Sequence, residues 1–322
     1  MGIRVAVTRG VSSSISECEL NHLEREPINL DLARAQHANY ERVLADLGCC
    51  IERLVEEPEF PDSVFVEDIA VVLDEVAIIT RPGALSRRGE RSSIAAALQP
   101  HRPIQRIAAP AILDGGDVLV VGRDVYVGLS TRTNVNSVRQ LRDFLADYGY
   151  RVTGVGFKDC LHLKSSATAV SDDTLLVNPN WVDPSAFSGQ ACIVVDPAEP
   201  RGANVVRVGD TVLFGADFPR TGERLSAEGF DVQPVEATEL AKAEGALTCC
   251  SLIFESAKTG SVVTQGRANA AKYEPHRHDT RLVVGRVKCR IQHSPGCRAA
   301  RSTRRAGLRL GWGAIVRFTT DQ

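Results

Sequence analysis

Short apolar runs and amphipathic segments alternate along the first 255 residues. Residues 3–8 are rich in Val and Ile and predict a β-strand. In residues 29–47 apolar side chains recur at helical spacing and a glycine follows, which predicts a helix that ends there. Residues 134–148 and 220–228 have the same amphipathic character and predict two further helices.

Between these helices the apolar runs come in pairs and predict strands. One helix and its paired strands recur about every 45 to 60 residues, which indicates stacked ββαβ-like units within one α/β domain rather than a single Rossmann sheet. Neither G-x-G-x-x-G nor G-x-x-x-x-G-K-[ST] occurs, so no dinucleotide or nucleoside triphosphate site is indicated. The predicted strands cover residues 64–72, 76–80, 103–107, 118–121, 125–128, 152–155, 167–170, 174–177, 192–195, 205–208, 211–214 and 231–235.

Composition places the chain among ordinary globular proteins. Of its 322 residues, 43% are hydrophobic and 24% are charged. No apolar run is long enough for a transmembrane helix, and no basic and apolar leader follows Met1, so neither membrane association nor secretion is expected. Nine cysteines without paired spacing favour reduced thiols and a cytoplasmic protein.

The net charge of −2 is unevenly distributed. Residues 256–322 hold 14 basic and three acidic side chains, a net +11, and show little hydrophobic periodicity. Such a segment buries too little apolar surface to offset its ordering entropy, which predicts a basic, disordered extension after a domain of residues 1–255. An Arg-rich arm for nucleic acid is one interpretation. A solvated appendage without a metal site is favoured, and nucleic-acid binding is not expected.

Polar side chains cluster at strand ends and turns of the acidic domain. Taken singly, each has a simple structural interpretation, such as a turn cap for Asp62 or a core histidine for His162. Together they form an ordered series that packing alone does not require. The segments are FPDSVFVED (60–68), RPGALSRRGE (81–90), LDGGD (113–117), GLSTRTN (128–134), LHLKSS (161–166) and EGALTCCSLIF (244–254).

These motifs, in this order and spacing, resemble those of the dimethylargininases, Nω-dimethylarginine dimethylaminohydrolases of the arginine-modifying superfamily. The resemblance covers residues 3–254. It implies the pentein fold, a five-bladed α/β propeller of ββαβ modules around a pseudo-fivefold axis with a central polar channel. It also implies hydrolysis of a methylated arginine to citrulline and a methylamine, with a small-molecule substrate and no cofactor or metal. A homodimer stays open.

The resemblance assigns a catalytic triad to three residues. Cys249, the first cysteine of LTCCS, matches the nucleophile, and a thiolate suits this role because sulfur is strongly nucleophilic. His162 of HLKS matches the general acid and base, which protonates the leaving amine and then activates water. Asp114 of DGGD matches the carboxylate that orients the histidine. Cys250 is expected to be a packing residue.

The resemblance also matches residues to the charges of the substrate. Asp68, with Glu67 nearby, would hold the guanidinium group, and Asp62 the α-amino group. Arg87 and Arg132 would hold the α-carboxylate, a task that suits planar guanidinium donors.

Two further positions complete the expected substrate site. Leu20, in the polar loop after the first strand, falls near the family's lid position. Glu244 stands five residues before the nucleophile, where the family usually has Asp. The longer side chain keeps the charge and changes its reach.

Two other functions remain open. Arginine deiminases and amidinotransferases share the fold and the cysteine chemistry, but resemble one another in an H-x-D motif, where this chain has Lys164. One carboxylate fewer leaves room for N-methyl groups, which favours a methylated substrate. A catalytically inactive binding protein with an RNA-binding tail is the alternative of another class, and the intact triad argues against it.

Overall fold

The computed structural model describes residues 2–257, which contain five small sheets of three strands each. In every sheet the central strand pairs antiparallel with one neighbour and parallel with the other. The strands are β1 (Ile3–Arg9), β2 (Cys50–Leu54), β3 (Ala70–Val72), β4 (Ala77–Ile79), β5 (Ile104–Arg106), β6 (Val118–Val121), β7 (Asp124–Leu129), β8 (Arg151–Gly156), β9 (Ala167–Ala169), β10 (Thr174–Val177), β11 (Ala191–Val194), β12 (Val205–Val208), β13 (Thr211–Gly215), β14 (Asp231–Val235) and β15 (Leu252–Ser256).

Each sheet with its crossover connection forms one module. In four modules an α-helix joins the central strand to its parallel neighbour, and in the fourth module a single 3₁₀ turn at Pro184–Ala186 lies in this connection. Asn29 and Asn134 cap the first turns of two helices by accepting the N–H groups of Leu32 and Asn136. The helices are α1 (Leu30–Asp46), α2 (Arg91–Leu98), α3 (Val135–Leu145), α4 (Leu163–Ser166), α5 (Pro219–Ala227) and α6 (Thr238–Ala241).

Five apolar clusters hold the modules together, and each cluster draws on two neighbouring modules. Leu252 of the first module packs with Ile79 of the second, for example, and Val212 of the fifth packs in a cluster with Leu176 of the fourth. The last cluster joins Leu213 of the fifth module to the first. Five shared clusters between five modules close a ring, and this confirms the predicted five-bladed α/β propeller.

In every module the antiparallel neighbour of the central strand lies on the inside of this ring. Strands β3, β6, β9, β12 and β15 together line a central cavity of about 270 Å³. Most of its lining is aliphatic, but Glu67, Lys164 and Arg207 add charge. The expected central channel is therefore present as a cavity with a mixed apolar and charged wall.

The chain closes the ring with its two ends. β1 is the central strand of the first module, and its antiparallel neighbour is β15, with Ile3 opposite Ser256. The first module is thus assembled from both ends of the domain, which places residue 257 beside the start of the chain.

The prediction from the sequence pattern was wrong for part of one strand. Within residues 64–72, Val66–Ile69 form a 3₁₀ turn, and only Ala70–Val72 form a strand. Strand β2 and helix α2 lack a clear periodicity and were not expected.

No helix within residues 2–257 is long and apolar enough to span a membrane. The predicted basic extension lies outside the described residues beyond Ala257, so its disorder stays a prediction.

We expect a chain that ends at Ala257 to fold, because β15 already completes the first sheet. A chain that ends at Ser251 lacks this strand and its buried Leu252 and Phe254, and should not unfold cooperatively. Thermal unfolding followed by circular dichroism compares the two. Failure of the longer chain to fold would show that the domain needs residues beyond 257.

Candidate active site

A small cavity lies where the polar segments between the strands meet. Its volume is about 20 Å³, roughly enough for one water molecule. Residues from four of the five modules line it, so the ring brings together segments that are far apart in sequence. The predicted site residues that line it are Asp62, Asp68, Arg87, Arg132, His162, Glu244 and Cys249.

The DGGD segment supports the cavity from behind. A side chain at Gly115 would lie 2.0 Å from the carbonyl oxygen of Glu67, and one at Gly116 would lie 2.6 Å from Nδ1 of His162. Only glycine therefore fits at both positions. The backbone N–H of Gly116 donates to Oδ1 of Asp68 at 3.1 Å. This turn holds Asp68 and His162 against each other.

His162 is buried among carboxylates. Its Nε2 lies 3.1 Å from Oδ2 of Asp114, and its Nδ1 lies 3.7 Å from Oδ1 of Asp68. Burial on its own lowers the pKa of the imidazole. The charges of Asp68 and Asp117 and the hydrogen bond with Asp114 outweigh burial and raise this pKa to about 9. The imidazole is thus protonated at neutral pH.

Asp114 has no exposed surface and is held from several sides. Its Oδ1 accepts the backbone N–H of Gly83 at 2.9 Å, and its Oδ2 faces His162. Nη1 of Arg132 lies 3.6 Å from the same Oδ2. Asp114 therefore lies behind His162 rather than in the cavity wall, as an orienting carboxylate requires.

Asp117 is a site residue that the sequence analysis did not single out, although it belongs to the DGGD segment. Its side chain is fully buried and accepts the hydroxyl of Ser130 at 2.8 Å and the N–H of Leu163 at 2.9 Å. Burial is the largest effect on this carboxyl group and raises its pKa to about 6, although the charge of His162 opposes the shift. Asp117 fixes the backbone directly after His162.

Cys249 lies in the 3₁₀ turn Thr248–Cys250, directly before β15, and faces the cavity. Burial raises the pKa of its thiol, and the charges of Asp68 and Glu67 add to the increase, to about 12. The thiol is therefore protonated at neutral pH. Cys250 is buried in the apolar cluster that the first and fifth modules share, as expected for a packing residue.

Arg87 and Asp68 are paired with each other. Arg87 is 4% exposed, and its Nη1 lies 2.5 Å from Oδ2 of Asp68, while the other side of its guanidinium binds Glu90. Burial raises the pKa of Asp68, but the charges of His162 and Arg87 outweigh it and lower the pKa overall. Asp68 is therefore ionised. The predicted contact of Arg87 with an α-carboxylate stays a prediction.

Glu67 lies outside the cavity wall. Its carboxylate accepts from Nζ of Lys164 at 2.5 Å and from the hydroxyl of Thr248 at 2.6 Å. Both oxygens are thus engaged on the side of the central cavity. Its predicted substrate contact stays a prediction, while its negative charge acts on the neighbouring Cys249 thiol.

Residues 18–26, named here the 18–26 loop, lie over the cavity. Glu19 donates its N–H to Oδ2 of Asp62 at 3.1 Å, and Oδ1 of Asn21 accepts from Nη2 of Arg132 at 2.6 Å. The side chain of Leu20 packs on the apolar cluster that the first and fifth modules share. Leu20 is therefore in the loop at the expected lid position, and its contact with substrate stays a prediction.

The cluster of Asp68, Asp114 and His162 brings three ligand atoms within 4.8 Å of one another. Because the pKa of His162 is raised to about 9, the imidazole is cationic and acts as the counterion of the two carboxylates. The geometry is that of a hydrogen-bonded ion cluster with a thiol beside it.

Known proteins match the chain over most of its acidic domain. The family model for eukaryotic N,N dimethylarginine dimethylhydrolase matches residues 12–187. An N(G),N(G)-dimethylarginine dimethylaminohydrolase of Pseudomonas aeruginosa is 36% identical over 228 residues, which cover 70% of this chain and 90% of that protein. The corresponding protein of Streptomyces coelicolor is 38% identical over 257 residues, which cover 78% and 97% of the two chains.

Solved structures agree with this match. A cysteine-to-serine mutant of the Pseudomonas aeruginosa enzyme, complexed with citrulline, superposes with a TM-score of 0.75 at 32% identity and covers 79% of this chain and 100% of its own. The N-terminal domain of ArgZ, an arginine dihydrolase of cyanobacteria, has a TM-score of 0.70 at 18% identity and shares the fold. The sequence and structural matches agree, and this chain belongs to the dimethylarginine dimethylaminohydrolase family.

Proposed function

We propose that this protein hydrolyses Nω-methylated arginines, both dimethylarginine and monomethylarginine, to citrulline and the corresponding methylamine. Its relatives carry the name of this activity, and one solved relative is complexed with citrulline. The observation that carries the proposal is that a protonated His162, hydrogen-bonded to the buried Asp114, lies in the same cavity wall as Cys249. A nucleophile and a proton donor thus line the same small cavity.

The first step requires a thiolate, which the free site disfavours. Asp68 and Glu67 help to raise the pKa of the Cys249 thiol, so a positive charge placed beside them has the opposite effect. The guanidinium of the substrate supplies this charge as it binds Asp68, and the thiol loses its proton to solvent. Substrate binding and activation of the nucleophile are then coupled.

The thiolate of Cys249 adds to the central carbon of the guanidinium and forms a C–S bond. The C–N bond to the methylated nitrogen breaks, and the departing amine takes its electron pair and a proton from His162. A covalent thiouronium remains. His162, now neutral, removes a proton from water as that water attacks the same carbon. The C–S bond then breaks and the remaining proton of the attacking water passes from the hydroxyl to the departing sulfur. Neutral citrulline leaves, and the thiol and the imidazolium are restored.

The polar wall of the cavity is complementary to an arginine derivative. Asp62 offers a carboxylate for the α-ammonium group, and Arg132 offers a guanidinium for the α-carboxylate. Arg87 supports the site through its ion pair with Asp68, and its contact with the α-carboxylate belongs to this proposal on the ground of the motif alone. A cavity wall that holds both carboxylates and guanidinium groups favours a zwitterionic amino acid with a cationic side chain.

The position of Lys164 favours a methylated substrate over free arginine. Its Nζ binds Glu67 at 2.5 Å, on the side of the central cavity, and the residue does not line the active-site cavity. The second carboxylate typical of arginine deiminases is thus replaced by a side chain that points elsewhere. Room remains beside the guanidinium for N-methyl groups.

Replacing Cys249 by Ser should abolish citrulline formation from asymmetric dimethylarginine, because a hydroxyl is a far weaker nucleophile at this pH. Cys250→Ser is the matched control, since Cys250 is buried in the adjacent core and should retain most of the activity. Citrulline release is measured on both folded variants. Equal loss in the two would remove Cys249 from its proposed role.

His162→Asn should lower turnover by about 10²- to 10⁴-fold, the usual contribution of a positioned proton donor. The protein should still fold, because asparagine can hydrogen-bond to Asp114 from the same position. Steady-state kcat at pH 7 gives the answer, with circular dichroism as the test of folding. Near-normal turnover would contradict the acid and base assignment.

The turnover number kcat should also fall at alkaline pH, because His162, whose pKa is raised to about 9, then loses the proton that the leaving amine needs. In Asp114→Asn a charge that raises this pKa is lost, so the alkaline limb of kcat, which reports the substrate-bound enzyme with its ionised thiol, should move to lower pH. The control is Asp74→Asn, at an exposed position outside the site. An unmoved limb in Asp114→Asn would show that Asp114 does not tune His162.

A further inference from the structure

Glu244 lines the active-site cavity, but its carboxylate binds the backbone of the 18–26 loop. Oε1 accepts the N–H groups of Asn21 at 3.0 Å, His22 at 2.5 Å and Leu23 at 2.6 Å. Oε2 accepts the N–H of Asn21 at 3.0 Å as well. Three successive N–H groups that converge on one anion form a nest, a recurring anion-binding arrangement of the backbone.

The backbone at Glu244 adopts a conformation that few residues other than glycine favour. Its φ angle is +57°, directly before Gly245 and at the end of the short segment after α6. This conformation presents the side chain toward the loop. A carboxylate on a side chain shorter by one methylene would not reach the same three N–H groups without a shift of the loop or of residue 244.

The loop also engages two polar groups that the proposed substrate needs. The N–H of Glu19 donates to Asp62, where the α-ammonium group would donate, and the amide oxygen of Asn21 accepts from Arg132, where the α-carboxylate would accept. The remaining cavity of about 20 Å³ is far too small for an arginine derivative. Binding of the proposed substrate to Asp62 and Arg132 therefore requires the loop to exchange these contacts.

We propose that Glu244 is a positioning residue that fastens the 18–26 loop over the active-site cavity, and that it does so instead of binding the guanidinium. Its carboxylate accepts from three N–H groups of the loop, whereas Asp62 accepts from one and Arg132 donates to one acceptor. Asp68 is then the main carboxylate that binds the guanidinium. This inference rests on the proposed function for the identity of the substrate, while the closure of the loop is independent of it.

The test measures amide hydrogen exchange of Asn21, His22 and Leu23 in the full chain without substrate. Glu244→Gln should speed exchange at these amides by roughly tenfold or more, since hydrogen bonds to a charged acceptor are lost. The matched control is Glu24→Gln, because Glu24 is exposed in the same loop and makes no hydrogen bond or ion pair within residues 2–257; this variant should leave exchange unchanged.

Glu244→Asp separates the two roles of this position. If Glu244 fastens the loop, the shorter side chain also speeds exchange at the three amides. If the carboxylate instead only binds substrate, exchange in the free enzyme stays unchanged in both variants while KM changes, and the proposal is wrong. Because exchange is measured without substrate, this outcome is distinct from an absence of citrulline formation in the unaltered enzyme.

A second variant keeps the test valid if Glu244→Gln does not fold. Leu23→Pro removes one of the three donors from the loop side and leaves residue 244 intact. Exchange at Asn21 and His22 should rise in this variant, because the nest has lost a member. Unchanged protection of both amides in a folded Leu23→Pro protein would overturn the proposal.

Discussion

The charge on the imidazole of His162 balances the carboxylates that surround it at the inner wall of the cavity. Asp68 and Asp114 face its two nitrogens, and Asp117 adds a third negative charge close by. Several buried carboxylates cannot stay ionised without a cation among them. In the proposed mechanism, the proton that the leaving amine requires is therefore the same proton that stabilises the folded site, so activity and local stability depend on one ionisation.

The ring architecture determines which parts of the chain meet at this charge. Asp68 precedes β3 in the second module, Asp114 precedes β6 in the third, and His162 precedes β9 in the fourth. Cys249 precedes β15 and is positioned only when this strand pairs with β1. The site residues thus occupy equivalent positions, just before the inner strand of successive modules, and they converge because those inner strands surround one axis.

The sequence predicted the repeating modules well because paired strands and helices leave periodic patterns of apolar residues. It failed where tertiary contacts decide the local structure. Residues 64–72 read as one strand, but Val66–Ile69 form a turn that directs Glu67 and Asp68 to opposite sides. The role of Asp117 depends on its burial, which the sequence does not reveal. Glu244 contacts backbone N–H groups, and every residue type carries these, so no sequence motif indicates the contact. The pairing of Arg87 with Asp68 likewise emerges only in three dimensions.

The pairing of β1 with β15 has a consequence for how this fold tolerates rearrangement. Ile3 and Ser256 are direct partners across the sheet, so a short linker could join the two ends of the domain without disturbing either strand. New termini could then open in a surface turn between two other modules, because each boundary is held by the same kind of shared apolar cluster. The ring architecture does not require any particular module to come first in the chain. Circular permutation is therefore compatible with it wherever the opened turn carries no active-site residue.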